Sequence, residues 1–184
     1  MPIYNPVDAA ALIAIHAAIA AAHHARYTNA EAIAAAKTDP LLLNYTQGAR
    51  AHNNANQSIP HNTWTALALN SERYDTDTIH DNVTNNSRLT CKTAGVYSST
   101  GCVYFNTGAI SWRGIAIRLN GTTFIGAQLF WSGAVAGFYF SVATIYKLAV
   151  NDYIELLAYQ TTGGAINSLT FHHMSPEFAM QRIG

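Results

Sequence analysis

The stretch SWRGIAIRLNGTTFIGAQLFW, Ser111–Trp131, holds two apolar runs on either side of one dipeptide. Asn120 and Gly121 both tolerate positive φ, the requirement of a two-residue turn whose twist matches antiparallel strands. The flanking runs are rich in Ile, Leu, Thr, Phe and Trp, residues that fit a pleated, half-buried surface. The stretch therefore predicts a β-hairpin, with strands over Ser111–Leu119 and Thr122–Trp131.

The same grammar extends in both directions. Strands are expected near Thr63–Leu69, Arg88–Cys91, Gly95–Phe105, Ala136–Tyr146, Tyr153–Gln160, Ser168–Phe171 and Glu177–Arg182, with turns at Asn151-Asp152 and Gly163-Gly164. About eight short antiparallel strands with no long helix among them imply an all-β sandwich or jelly roll over residues 63–184. Residues 41–62 read as a polar connector, because Asn53, Asn54, Asn56, Gln57 and Ser58 favour turns over regular structure.

Residues 1–40 are of another kind, with fifteen alanines between Ala9 and Ala36 and no Gly or Pro among them. Alanine is the strongest helix former, so a helix is expected from Asp8 to about His24. A second opens on the capping pattern Thr28-Asn29-Ala30-Glu31 and stops before Pro40. Leu12, Ile15 and Ile19 repeat at heptad-like spacing. They mark either an internal packing face or a docking and self-association helix. Ala9–Ala22 is too short and too weakly apolar to span a bilayer, and the first residues lack the positive segment of a secretory signal. No membrane insertion is expected.

Composition bounds function. Ten Lys+Arg balance ten Asp+Glu, and charged residues make up 11% of the 184-residue chain, beside 49% hydrophobic. An average domain carries about 25% charged residues. The balance argues against nucleic-acid binding, which needs a basic excess, and the shortage of charge points to association. Cys91 and Cys102 are too few for a disulfide scaffold; a bridge between them and two free thiols both remain open.

Four motifs in order, the hairpin among them, carry a resemblance. Leu89, then Gly95-x-Tyr97 after five intervening residues, follows the spacing of the complement C1q signature, with Leu in place of the usual Phe and Ser99 in place of an aromatic. The Asn120-Gly121 hairpin, the segment Tyr146–Leu156 with Asn151 in place of a glycine before Asp152, and the closing run from Phe178 also resemble that family. The helical leader followed by Gln57-Ser58-Ile59-Pro60 looks like small trimeric proteins of tailed-phage particles. The resemblance implies a homotrimer of C1q/tumour-necrosis-factor-like jelly rolls with aromatics buried about a threefold axis. Phe130, Trp131, Phe138, Tyr139, Phe140 and Tyr159 are the candidates for aromatics shared between core and axis.

Chemistry finds little purchase. Asp75, Asp77 and Asp81 are weak candidates for a calcium site, lacking the glycine and terminal glutamate of an EF-hand loop; a solvated loop is the plainer reading. His172 and His173, adjacent on a strand, point apart, while His16 and His23 share a helix face and a threefold axis could gather three copies. No nucleophile elbow, metal-binding helix motif or phosphate-cradling loop occurs, so neither enzymatic activity nor a cofactor is expected. The sequence reading is a non-enzymatic structural protein of a virion surface, assembled in the host cytoplasm. It is anchored to a capsid or tail protein through residues 1–40. The alternative is a receptor- or carbohydrate-binding module of a phage tail fibre or a bacterial C1q-like protein. That alternative would meet a host glycan or receptor through loops such as Asn82–Ser87 and Ala158–Asn167.

Overall fold

The computed structural model describes residues 11–15, 17, 30–31, 46–133, 135–171 and 176–184. The chain divides into two compact units, Met1–Leu43 and Asn44–Gly184. In the first, residues 11–15, 17, 30 and 31 are helical and exposed, Leu12 and Ile15 among them. Ile19, His16 and His23, like His172 and His173 of the second unit, lie outside the described residues.

The second unit is a sandwich of twelve described strands: β1 Gly48–His52, β2 Gln57–Ile59, β3 Thr65–Ala66, β4 Ser71–Asp75, β5 Arg88–Thr90, β6 Gly95–Phe105, β7 Ser111–Leu119, β8 Thr123–Ser132, β9 Phe138–Leu148, β10 Tyr153–Gln160, β11 Ile166–Leu169 and β12 Glu177–Arg182. In the seven-stranded sheet, β6 pairs along one edge with β9 over its whole length. Its other edge pairs first with β12, then with β11. Outward from β12 come β1 and β4; outward from β11 comes β2. The five-stranded sheet runs β3-β10-β7-β8, with β5 also on β10. All these pairings are antiparallel.

The core lies between the sheets and follows the period-2 rule. Tyr97, Val103 and Phe105 of β6, Ile115 and Ile117 of β7, Ile154 and Leu156 of β10, and Phe178 and Met180 of β12 are fully buried. Gly101 faces Leu156 so closely that a Cβ there would come within 2.5 Å of a leucine methyl. The Asn120-Gly121 turn forms as expected, with φ of 49° and 72°. Asn120 Nδ2 donates to Asp152 Oδ1 at 2.8 Å, tying the hairpin to the turn before β10. Asn151 has φ 72°, which is why asparagine serves where a glycine is usual.

Several expectations change. The strand expected over Ala136–Tyr146 lies two residues later, at Phe138–Leu148, and β4 at Ser71–Asp75 is additional. The stretch 41–62 is not a free connector: β1 and β2 lie within it, and β1 sits between β12 and β4. Its Gly-Ala-Arg-Ala-His sequence has no β-branched residue, but Ala49 and Ala51 are small enough to lie fully buried in the core. The strand expected over Thr63–Leu69 shrinks to β3, because the Gln57 side chain takes over the backbone there. Its amide donates to the Ala66 carbonyl and its oxygen accepts from Ala68 N–H. The strand expected at Ser168–Phe171 lies two residues earlier, over Ile166–Leu169.

Candidate association surface

Two long strands, β8 and β9, close the two sheets on the same side of the sandwich. Among the described residues each pairs on one side only, with β7 and β6. Thr144 Oγ1 donates to the Ile125 carbonyl at 2.9 Å, linking the two edges. Edge strands of soluble proteins ordinarily carry lysine, proline or an inward charge that blocks further pairing. Here β8 contains no charged residue, and Phe130, Leu129 and Trp131 stand half in solvent. On β9, Ile145 and Tyr146 are exposed as well. Lys147 stands exposed beside them on β9, so the edge without a charge is that of β8, a candidate contact site.

The outer face of the seven-stranded sheet is of opposite character. Ser98, Thr100 and Cys102 of β6, Ser141 and Ala143 of β9, and Ala179 and Gln181 of β12 line a groove of about 620 Å³. At its margin Glu177, nearly buried, accepts from Arg50 Nε and Nη2 at 2.8 Å each and from Arg73 Nε at 2.5 Å. This bond to Glu177 holds the Arg50 guanidinium above its ordinary pKa. Burial pushes the Cys102 thiol up to about 11 and raises Cys91 too. Neither cysteine is in a disulfide and neither is set up as a nucleophile. At one end of this face Tyr104 stacks on Tyr139 at 4.4 Å, with Phe171 tilted against both.

The six aromatics expected at core and axis separate. Phe140 is buried in the core against Phe105. Phe138 is half-buried, with the guanidinium of fully buried Arg113 5.1 Å from its ring centre. Phe130 stands at the β8 edge, and Tyr139 on the outer face of the seven-stranded sheet. Trp131 and Tyr159 lie on the far face, the outer face of the five-stranded sheet. Trp131 meets Trp112 edge-to-face, and Tyr159 stacks on Trp64 and donates its hydroxyl to Asn62 Oδ1. The alternation within Phe138-Tyr139-Phe140 sends them to opposite faces, but strand curvature and neighbours set which face is covered.

The family-motif residues are structural: Leu89, Tyr97 and Phe178 are fully buried, and Gly95 opens β6. Asp75 accepts from the N–H groups of Asp77, Ile79 and His80, and Asp81 from those of Val83 and Thr84. These carboxylates staple a loop, and among the described residues no three acids, histidines or cysteines converge. Arg50, Arg73 and Glu177 were not singled out in the sequence, since partners this far apart in the chain leave no local pattern.

No protein-family model matches the chain, and no curated protein matches it in sequence. Its fold matches solved structures. The globular domain of zebrafish complement 1qA is 10% identical, covers 76% of this chain and 98% of its own, and gives a TM-score of 0.52. Murine APRIL, crystallised at pH 5.0, is 10% identical with a TM-score of 0.58, over 74% and 98% of the two chains. Eiger TNF from S. frugiperda is 14% identical with a TM-score of 0.50, over 75% and 92%. The sandwich is a C1q/TNF-like antiparallel jelly roll.

Proposed function

We propose that this protein is a non-enzymatic structural component of a virus particle, forming a homotrimeric decoration or fibre head on the virion surface. Residues 1–40 are its anchor to a capsid or tail protein. The observation that carries the reading is the uncharged apolar edge of β8, beside a β9 edge that exposes Ile145 and Tyr146. The molecule's other association-competent face is a groove lined by small side chains with Arg50, Tyr74 and Glu177. An edge docked into the groove of a neighbouring copy is a heterologous contact, which closes into a ring when the rotation allows. The virion setting rests on the resemblance of the leader and β-domain to small phage proteins.

Native mass spectrometry of the full chain tests the trimer, with three times 19.9 kDa expected. Phe130→Glu together with Ile145→Glu is expected to give a folded monomer with an unchanged circular dichroism spectrum. A wild-type chain monomeric at all concentrations overturns the trimer. Removing residues 1–40 is expected to abolish particle attachment while sparing the trimer; attachment that persists overturns the anchor.

A further inference from the structure

All three tryptophans of the chain lie on the outer face of the five-stranded sheet. Register sets their order along β7. Trp112 faces Trp131, with ring centres 5.4 Å apart. The next outward residue, Gly114, has no side chain, and Leu129 of β8 lies directly over it. Tyr159 of β10 is the partner of Gly114 on the other side. Trp64 stacks on Tyr159 at 4.9 Å and tilts against Phe124 at 5.3 Å. Phe124 sits opposite Arg118, so Trp64 bridges the level of Ala116. The result is two aromatic groups on one face, Trp112 with Trp131 and Tyr159 with Trp64 and Phe124, with Leu129 between them. Trp112, Phe124, Leu129 and Trp131 are 44–51% exposed along this strip.

The strip's size and charge identify its occupant. Trp112 to Arg118 is six residues, about 20 Å of strand, and three strands span about 10 Å. A footprint of about 200 Å² falls far short of the roughly 800 Å² per partner of a stable protein interface. Among the described residues no charged side chain stands on this face between the Trp112 and Ala116 levels. The charges at its end are closed on one another, with Arg118 Nη2 donating to Glu155 Oε2 at 2.9 Å. The rings carry polar tips, and amide and hydroxyl groups border them: Asn62 on the Tyr159 hydroxyl, Thr161 against the Trp112 backbone. An uncharged ligand with flat C–H faces and hydroxyl edges fits such a surface.

We propose that this strip binds a neutral oligosaccharide of a few sugar units. The strip lies on the sheet opposite the groove, and of the β8 edge residues Leu129, Phe130 and Trp131 it shares only Leu129 and Trp131; the inference does not depend on the edge-to-groove trimer. The test is an array of neutral glucose, galactose and N-acetylglucosamine oligomers, with sulfated and sialylated counterparts, probed with the full chain. Titration calorimetry and native mass then follow on the same sample. Binding of a neutral oligomer is expected, insensitive to salt and weakened about tenfold or more by Trp112→Ala or Trp131→Ala. In the wild-type protein the bound oligomer is expected to shield tryptophan fluorescence from acrylamide, a readout independent of whether the variants fold. Failure to bind any neutral oligomer overturns the proposal. So does binding only of charged glycans, affinity unchanged in both variants, or variants that dissociate the oligomer, which would make the strip a self-association surface. Binding by a monomeric chain would leave it standing while overturning the trimer.

Discussion

Strands β8 and β10 belong to the same sheet, one strand apart, and both read in sequence as strongly apolar β-strands. Their surroundings differ completely. In β10 Ile154, Leu156, Leu157 and Ala158 are fully buried, because β7 pairs on one edge and β3 and β5 share the other. In β8 seven of ten residues are exposed, although Leu129, Phe130 and Trp131 are as apolar as anything in β10. An apolar pattern specifies a strand; its neighbours decide whether the burial happens within one copy of the chain. The shortage of charge noted in the sequence is thus distributed unevenly, filling the core at β10 and standing in solvent at β8.

The sharpest way to break this contrast is to truncate one residue in each strand. Leu156→Ala is expected to destabilise the fold by about 2–5 kcal/mol, since it empties a site packed against Gly101. Phe130→Ala is expected to change the monomer by less than about 0.5 kcal/mol while weakening association. Urea melts with parallel mass measurements check both. Equal losses of monomer stability would mean that β8 is as internal as β10.

A second test moves to the seven-stranded sheet. Glu177→Gln leaves Arg50 and Arg73 without their shared carboxylate. Removing one partner of a buried pair costs about 3–5 kcal/mol; with Arg50 46% exposed at its side chain, about 2–3 kcal/mol is expected in the same melts. A neutral result would show that the groove margin is solvated like β8.

Gly121→Ala probes the turn that fixes β8 beside β7. At φ 72° a side chain is strained, and its Cβ would fall 2.9 Å from the Tyr153 hydroxyl. A loss of about 1 kcal/mol is expected, with amide exchange quickened in β8 and not in β10. Uniform quickening would argue that the two strands open together.

The smallest effect concerns Cys102 in the groove. Its folded pKa is raised from 9.0 to about 11 by burial, so between those values the unfolded chain has lost a proton that the folded one keeps. Its contribution is therefore full below pH 9 and is lost as pH rises toward 11. Stability measured across that window is expected to fall less steeply in Cys102→Ser. An identical slope would place the thiol in water.

Legibility followed locality. Ser111–Leu119, Gly95–Phe105, Tyr153–Gln160 and Glu177–Arg182 have the bounds that their sequences indicate, because each has its own alternation and its own turn residues. β1 does not, since alanine has no β preference and only the space between β12 and β4 selects the strand. Apolar side chains such as Phe140 could be read as strand residues, but nothing in their sequence separates a core position from the exposed ones of Phe130. The tryptophan strip was invisible for another reason. Trp64, Trp112 and Trp131 are dispersed over nearly seventy positions, and only the pairing register brings them together.

The position of β12 bears on how the molecule is made. The last of the sandwich's strands to leave the ribosome is inserted between β6 and β1, in the interior of its sheet. Until it arrives, the row that should hold Phe178 and Met180 is open and two strand edges stand bare. Contacts this distant in sequence are slow to form, and partly built sheets are prone to aggregate. Folding of the sandwich is therefore expected to finish only once β12 has emerged, with nascent chains arrested before Glu177 remaining sensitive to protease.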